Sequence, residues 1–221
     1  MSKKANLFTV SGLLLLLLFA ASAGATTTLY STLGPNGEYD TGSGYFVDGA
    51  NYFNQVLALP FTVGTSMNIA DAVLALGNYQ GNNNPINVYL MNDGGGQPGG
   101  NILDTLIQQG QIPPFSSGGG LVTFNCTTCP LLNTSTTYWI VAQEADANTE
   151  QVWMFAYLDQ FGHAAFDQNG SINGPWNQFD STIMGMRIDG GSVTTPEPTT
   201  LFLLGAGLLA LGAGLRRKMG S

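Results

Sequence analysis

The sequence predicts an all-β fold, a β-sandwich of jelly-roll-like form, set between an N-terminal signal-peptide helix and a C-terminal transmembrane helix. Three observations predict it. Short segments alternate apolar and polar residues with a period of two, as in Ile86, Val88 and Leu90 against Asn87 and Tyr89. Clusters of Gly, Asn, Pro and Asp separate those segments at short intervals. From Leu29 to Ser192 no long stretch carries a helical period, whereas each terminus holds an apolar run with basic residues on its outer flank.

The first element is residues 1–25. Lys3 and Lys4 precede the apolar run Leu13 to Ala20, and the small residues Ala23-Gly24-Ala25 follow it, the three regions of a secretory signal peptide. The run is short for a bilayer span, so cleavage after Ala25 is expected, with Thr26 as the mature start.

Residues 26–193 then read as one domain of about 170 residues, enough for a single core. Strands are expected over Ala50 to Phe61, Asn68 to Leu76, Ile86 to Leu90, Leu121 to Phe124, Tyr138 to Gln143, Val152 to Tyr157 and Met184 to Ile188. Ile102 to Gln109 fits either a strand or a short helix. Loops are marked by Gly81 to Pro85, Asn92 to Gly100 and Pro113 to Gly120.

The last element, residues 194–221, has three parts in order: Pro196-Glu197-Pro198, an apolar stretch from Leu201 to Leu215, and the basic stop segment Arg216-Arg217-Lys218. At about 1.5 Å per residue, Thr199 to Leu215 reaches roughly 25 Å, a marginal span that snorkelling arginines complete. Basic residues stay on the cytoplasmic side, so the domain faces outward, the direction the signal peptide sets. The two prolines keep Glu197 in extended backbone, the form a peptidase groove accepts.

This tail resembles the PEP-CTERM sorting signal of Gram-negative, exopolysaccharide-producing bacteria. The resemblance covers about the last 25 residues, one membrane span plus flanks. It implies that Pro196, Glu197 and Pro198 are read by exosortase, a multi-spanning cysteine peptidase. The precursor would sit in the inner membrane and then pass to the cell surface or medium. A second resemblance runs through the domain: Asn92-Asp93-Gly94 to Pro98-Gly99, then Thr137-Tyr138-Trp139-Ile140, then Gly174-Pro175-Trp176 look like the choice-of-anchor R family. That family brings no catalytic residues with it.

Charge narrows the partners. Of six basic residues only Arg187 lies in the domain, against every acid except Glu197, for a formal charge near −12. Such a surface repels nucleic-acid backbones and anionic headgroups, leaving neutral, cationic or polymeric glycan partners such as exopolysaccharide.

Candidate chemistry is sparse. Cys126 and Cys129 are the only cysteines, and in an exported protein a C-x-x-C pair closes a small disulfide loop. Zinc would need two further ligands, and the lone His163 is distant in sequence. No nucleophile-elbow sequence accompanies His163, so no enzyme is expected. Glu144, Asp146 and Glu150 read as a solvated acidic hairpin loop, although two such acids across a cleft would suit glycoside hydrolysis. Asp93, Asp167 and Asn169 offer oxygen ligands for calcium, but neither segment has the full spacing of an EF-hand loop and ordinary turn chemistry is the favoured reading, so no cofactor is expected. Trp139 and Trp153 sit in apolar strands, which leaves Trp176 as the candidate glycan contact. The expected role is a non-catalytic structural or adhesive protein, with a lectin-like carbohydrate-binding module as the alternative.

Overall fold

Alternating side chains build strands throughout the residues that the computed structural model describes, 26–81 and 86–191. In chain order these are β1 (Thr26–Ser31), β2 (Gly44–Asp48), β3 (Val56–Thr62), β4 (Met67–Gln80), β5 (Ile86–Asp93), β6 (Pro98–Gln109), β7 (Gly120–Asn125), β8 (Leu131–Leu132), β9 (Thr137–Glu144), β10 (Glu150–Met154), β11 (Phe161–Asp167), β12 (Asn177–Thr182) and β13 (Met186–Gly191). Loops join them, and the helical elements among the described residues are three-residue 3-10 turns. The signal-peptide and transmembrane helices expected from the sequence lie outside the described residues. Among the described residues no helix is long and apolar enough to cross a membrane.

All the strand ladders are antiparallel, in the order β1-β13-β4-β7-β6-β5-β9-β3-β11-β12. The sheet curls through β6, whose residues Ile102 to Leu106 pair with β5 while Ile107 to Gln109 pair with β7. The long β4 also carries β10, which in turn carries β2. Curling brings the apolar faces of the two halves together. Leu74 and Leu76 of β4, Phe124 of β7, Trp153 of β10 and Ile188 of β13 share one core with Leu57 and Leu59 of β3, Val88 and Leu90 of β5 and Ile140 of β9. Each such aliphatic side chain contributes roughly 1.5–3 kcal/mol by leaving water. The buried Trp153 donates its Nε1–H to the Gly185 carbonyl at 3.0 Å, so its one polar group is satisfied.

Several boundaries differ from expectation for identifiable reasons. Residues 50–53 form a turn, not the start of β3, because Asn54 takes a left-handed conformation at φ 50° and the Tyr52 amide closes back on the Gly49 carbonyl. The segment after Met154 leaves the sheet, with Leu158 and Asp159 at positive φ in a 3-10 turn. The ambiguous Ile102 to Gln109 is strand, paired on β5 and β7.

Candidate functional site

One half of the sheet buries apolar side chains on its outer face as well. Val56 and Ala58 of β3, Met91 of β5, Trp139 and Val141 of β9 and Ala165 of β11 form a second, smaller core there. The chain between β11 and β12 packs Ile172 and Trp176 against it. Beside this layer the sheet opens. β3 pairs with β9 from Leu57 to Thr62, but with β11 only from Val56 to Ala58. Pro60 follows two residues later and has no N–H with which to extend a ladder.

The opening forms a cleft of about 390 Å³. Phe61 and Trp139 make its floor, at 2% and 0% exposure, and the half-buried Tyr30 of β1 makes a wall. Thr62, Thr137, Asp93, Gly96 and His163 bring polar groups to it, beside Pro60.

Hydrogen bonds hold the cleft's rim. Asp93 ends β5, and its carboxylate accepts the Trp139 Nε1–H at 2.8 Å and the backbone N–H groups of Gly95 and Gly96 at 3.0 and 3.1 Å. Burial raises the affinity of Asp93 for a proton. The donated bonds outweigh it, led by Trp139 and then Gly96 and Gly95, and the net shift is below the ordinary aspartate value. Asp93 therefore stays ionised and ties the β5–β6 turn to β9. Gly95 and Gly96 stand at φ 89° and 88°, positions that glycine occupies without steric cost. His163 on β11 completes the rim, with Nε2 3.2 Å from the Gly96 carbonyl and Nδ1 3.0 Å from Asp180 Oδ1 on β12. Both partners are acceptors, so a neutral imidazole donates to one at a time.

The structure redistributes the residues singled out from the sequence. Trp139, read as core, is both core and cleft floor. Trp176 is half-buried against the second core and is not among the residues lining the cleft. Its Nε1 is buried without a hydrogen-bond partner among the described residues. Asp167 is fully buried and accepts the Asn169 and Ser171 amides at 2.8 and 2.9 Å, the same turn chemistry as Asp93. Among the described residues no three His, Cys, Asp or Glu side chains gather to hold a metal ion. Cys126 and Cys129 lie at disulfide distance, with their Cα atoms 5.0 Å apart. Pro196, Glu197 and Pro198, with Arg216, Arg217 and Lys218, lie outside the described residues.

The acidic hairpin is a correction. Glu150 is only 7% exposed, and both carboxyl oxygens of Glu144 are buried without a hydrogen-bond partner among the described residues. Cross-strand pairing sets Glu150 opposite Asp48, itself 3% exposed, and Gln80 Nε2 donates to Glu150. Burial pushes Glu144 up to about 9, with help from the charges of Asp48 and Asp146. Burial likewise raises Asp48 to about 6, reinforced by the charge of Glu150 and a hydrogen bond to it. The bulge between Glu150 and Gln151 where β10 meets β4 is a structural feature that charge counting could not reveal.

Residues 194–218 match the family model of the PEP-CTERM protein-sorting motif. The motif marks an exported chain processed by exosortase from a membrane-anchored precursor. No curated protein matches the chain.

Proposed function

We propose that the chain is a non-catalytic structural or adhesive component of the cell surface or exopolysaccharide matrix, and that its adhesive contact is lectin-like, made by a glycan in the cleft between β3 and β11. The observation that carries the reading is the convergence of Tyr30, Phe61 and Trp139 with Thr62, Thr137 and His163 around one opening. Aromatic surface beside hydroxyl and imidazole groups is the mixture that binds sugars, whose rings carry apolar C–H faces and polar edges. The sorting motif supports the setting, since an exported domain can meet extracellular polymers. The reading takes the curled sheet as a jelly-roll-like sandwich akin to the choice-of-anchor R domains, a scaffold class on which loops and sheet faces carry binding.

Retention of the full chain, held in detergent, on immobilised exopolysaccharide tests the proposal. Retention that drops in Tyr30→Ala and in His163→Ala supports it. Retention unchanged in both variants removes the cleft from adhesion and leaves a structural role alone.

A further inference from the structure

The charges around the cleft select among glycans. We infer that the cleft takes an amine-bearing sugar unit, the protonated amino group of a polysaccharide with free amines, in preference to neutral N-acetylated units and to uronates. The inference rests on the glycan-binding reading above and narrows its ligand class.

Four observations carry it. First, the cleft lining contains a carboxylate and no lysine or arginine. The domain's single arginine, Arg187, is on β13 and is engaged with Asp189, its Nε 2.7 Å from Oδ2. An anionic sugar would find no lysine or arginine there, and both ring nitrogens of the lining His163 already face acceptors, the Asp180 carboxylate and the Gly96 carbonyl. Second, Asp93 receives three N–H donors, from Trp139, Gly95 and Gly96. The Gly96 amide is shared between the two carboxylate oxygens, at 3.1 and 3.2 Å, so it is the weakest-held of the three donors, and an ammonium entering the opening that Asp93 lines can take its place on one oxygen. Third, a second carboxylate stands behind the rim residue His163: Asp180, 3.0 Å from its Nδ1 and with its side chain 70% exposed. Fourth, Tyr30, Phe61 and Trp139 line the same opening as Asp93. The negative face of a ring attracts a cation, and Tyr30, the more exposed of the three, is the ring available for it.

The geometry is that of a fixed anion with an aromatic wall. Asp93 does not have to reorganise on binding, because the Gly95 amide and Trp139 still hold it. The surrounding field works in the same direction: thirteen acids and one base between residues 26 and 193 attract cationic polymers and concentrate them near the opening.

The experiment is calorimetric titration of the full chain in detergent with glucosamine oligomers, N-acetylglucosamine oligomers of equal length, and uronate oligomers. The expected result is binding of the glucosamine oligomer about tenfold or more above either of the others, with affinity falling as salt rises. Asp93→Asn should weaken that binding about tenfold, at the scale of a desolvated charge contact. Because Asp93 also holds the β5–β6 turn, Thr62→Lys is the companion variant. Thr62 is exposed at the cleft, and a lysine there should repel the amine while leaving the turn bonds intact.

Equal or tighter binding of the N-acetylated or uronate oligomer, still lost in Tyr30→Ala, overturns the amine preference and keeps the glycan site. Glucosamine binding that both Asp93→Asn and Thr62→Lys leave untouched overturns it as well, since the amine is then held elsewhere. If none of the oligomers binds, and exopolysaccharide is not retained either, the glycan reading itself falls.

Discussion

The carboxylate of Asp104 on β6 sits 3.0 Å from the backbone nitrogen of Thr127, inside the loop that Cys126 and Cys129 close. The Thr127 hydroxyl donates to the other carboxylate oxygen, and the amides of Thr128 and Cys129 donate at 3.0 and 3.2 Å. The short loop therefore wraps three consecutive N–H groups around a side chain that is 3% exposed, pinning the end of β7 to β6. Burial raises Asp104, but the Thr127 hydroxyl and the three amides outweigh it and set its proton affinity below the ordinary aspartate value.

Asp104→Asn should destabilise the domain by about 2–3 kcal/mol at neutral pH, the scale of charge-assisted bonds lost from a buried site. The folded-state value is depressed, so the contribution is present above the unfolded pKa and is lost as pH falls through the folded value. Denaturant melts at pH 7 and pH 3 check this. The gap between wild type and Asp104→Asn should narrow at the lower pH.

Replacing both cysteines by serine should cost about 2 kcal/mol, the chain-entropy value for so short a loop. The loop also presents the amides to Asp104, so the two changes act on one unit. Combining them with Asp104→Asn should cost less than the sum of the separate effects, measured by a double-mutant cycle.

Glu144 carries the opposite pH dependence. Its folded-state value is raised to about 9, so its contribution is full below the unfolded value near 4.5 and is lost as pH rises through about 9. Asp48, raised to about 6, loses its share earlier in the same direction. Thermal melts should show the domain less stable at pH 8.5 than at pH 5. Glu144→Gln, which keeps the shape and removes the ionisation, should flatten that slope and raise Tm at pH 8.5 by about 3–8 °C, at roughly 2–4 °C per kcal/mol.

Asp93→Ala removes the acceptor shared by Trp139, Gly95 and Gly96. Amide hydrogen exchange at Gly95 and Gly96 should accelerate about tenfold or more, while exchange in β4 and β7 stays at the wild-type rate. Acceleration across the whole sheet would mean that Asp93 supports the fold globally instead of the cleft rim.

Replacing Glu197 with Ala should leave an unprocessed, membrane-retained precursor. Intact mass spectrometry distinguishes it from a product that lacks the residues after about Pro196, within the one-span tail. A Glu197→Ala chain processed as efficiently as wild type would remove Glu197 from recognition.

The strand alternation of Ile86, Val88 and Leu90, the Gly-rich punctuation and the terminal Pro-Glu-Pro tail were legible in the sequence because each signal is local. A period of two reports that a face is buried, and a sorting tail is read as linear chain. The partners across the fold were not legible, since periodicity identifies a buried face without saying which strand it meets. Trp139 reaches Asp93 from 46 residues away, and His163 reaches Gly96 from 67. Asp48 and Glu150 meet only because β2 and β10 are neighbours, which turns an apparently solvated acid into a buried one. Trp176, conspicuous beside Pro175, became packing, while Trp139, which looked like core, became the floor of the cleft. By itself the sequence determined the β class, the acidic surface and the sorting tail. The tertiary structure alone decided which residues form the cleft, because non-local pairing on a curled sheet sets those neighbours and chain proximity does not.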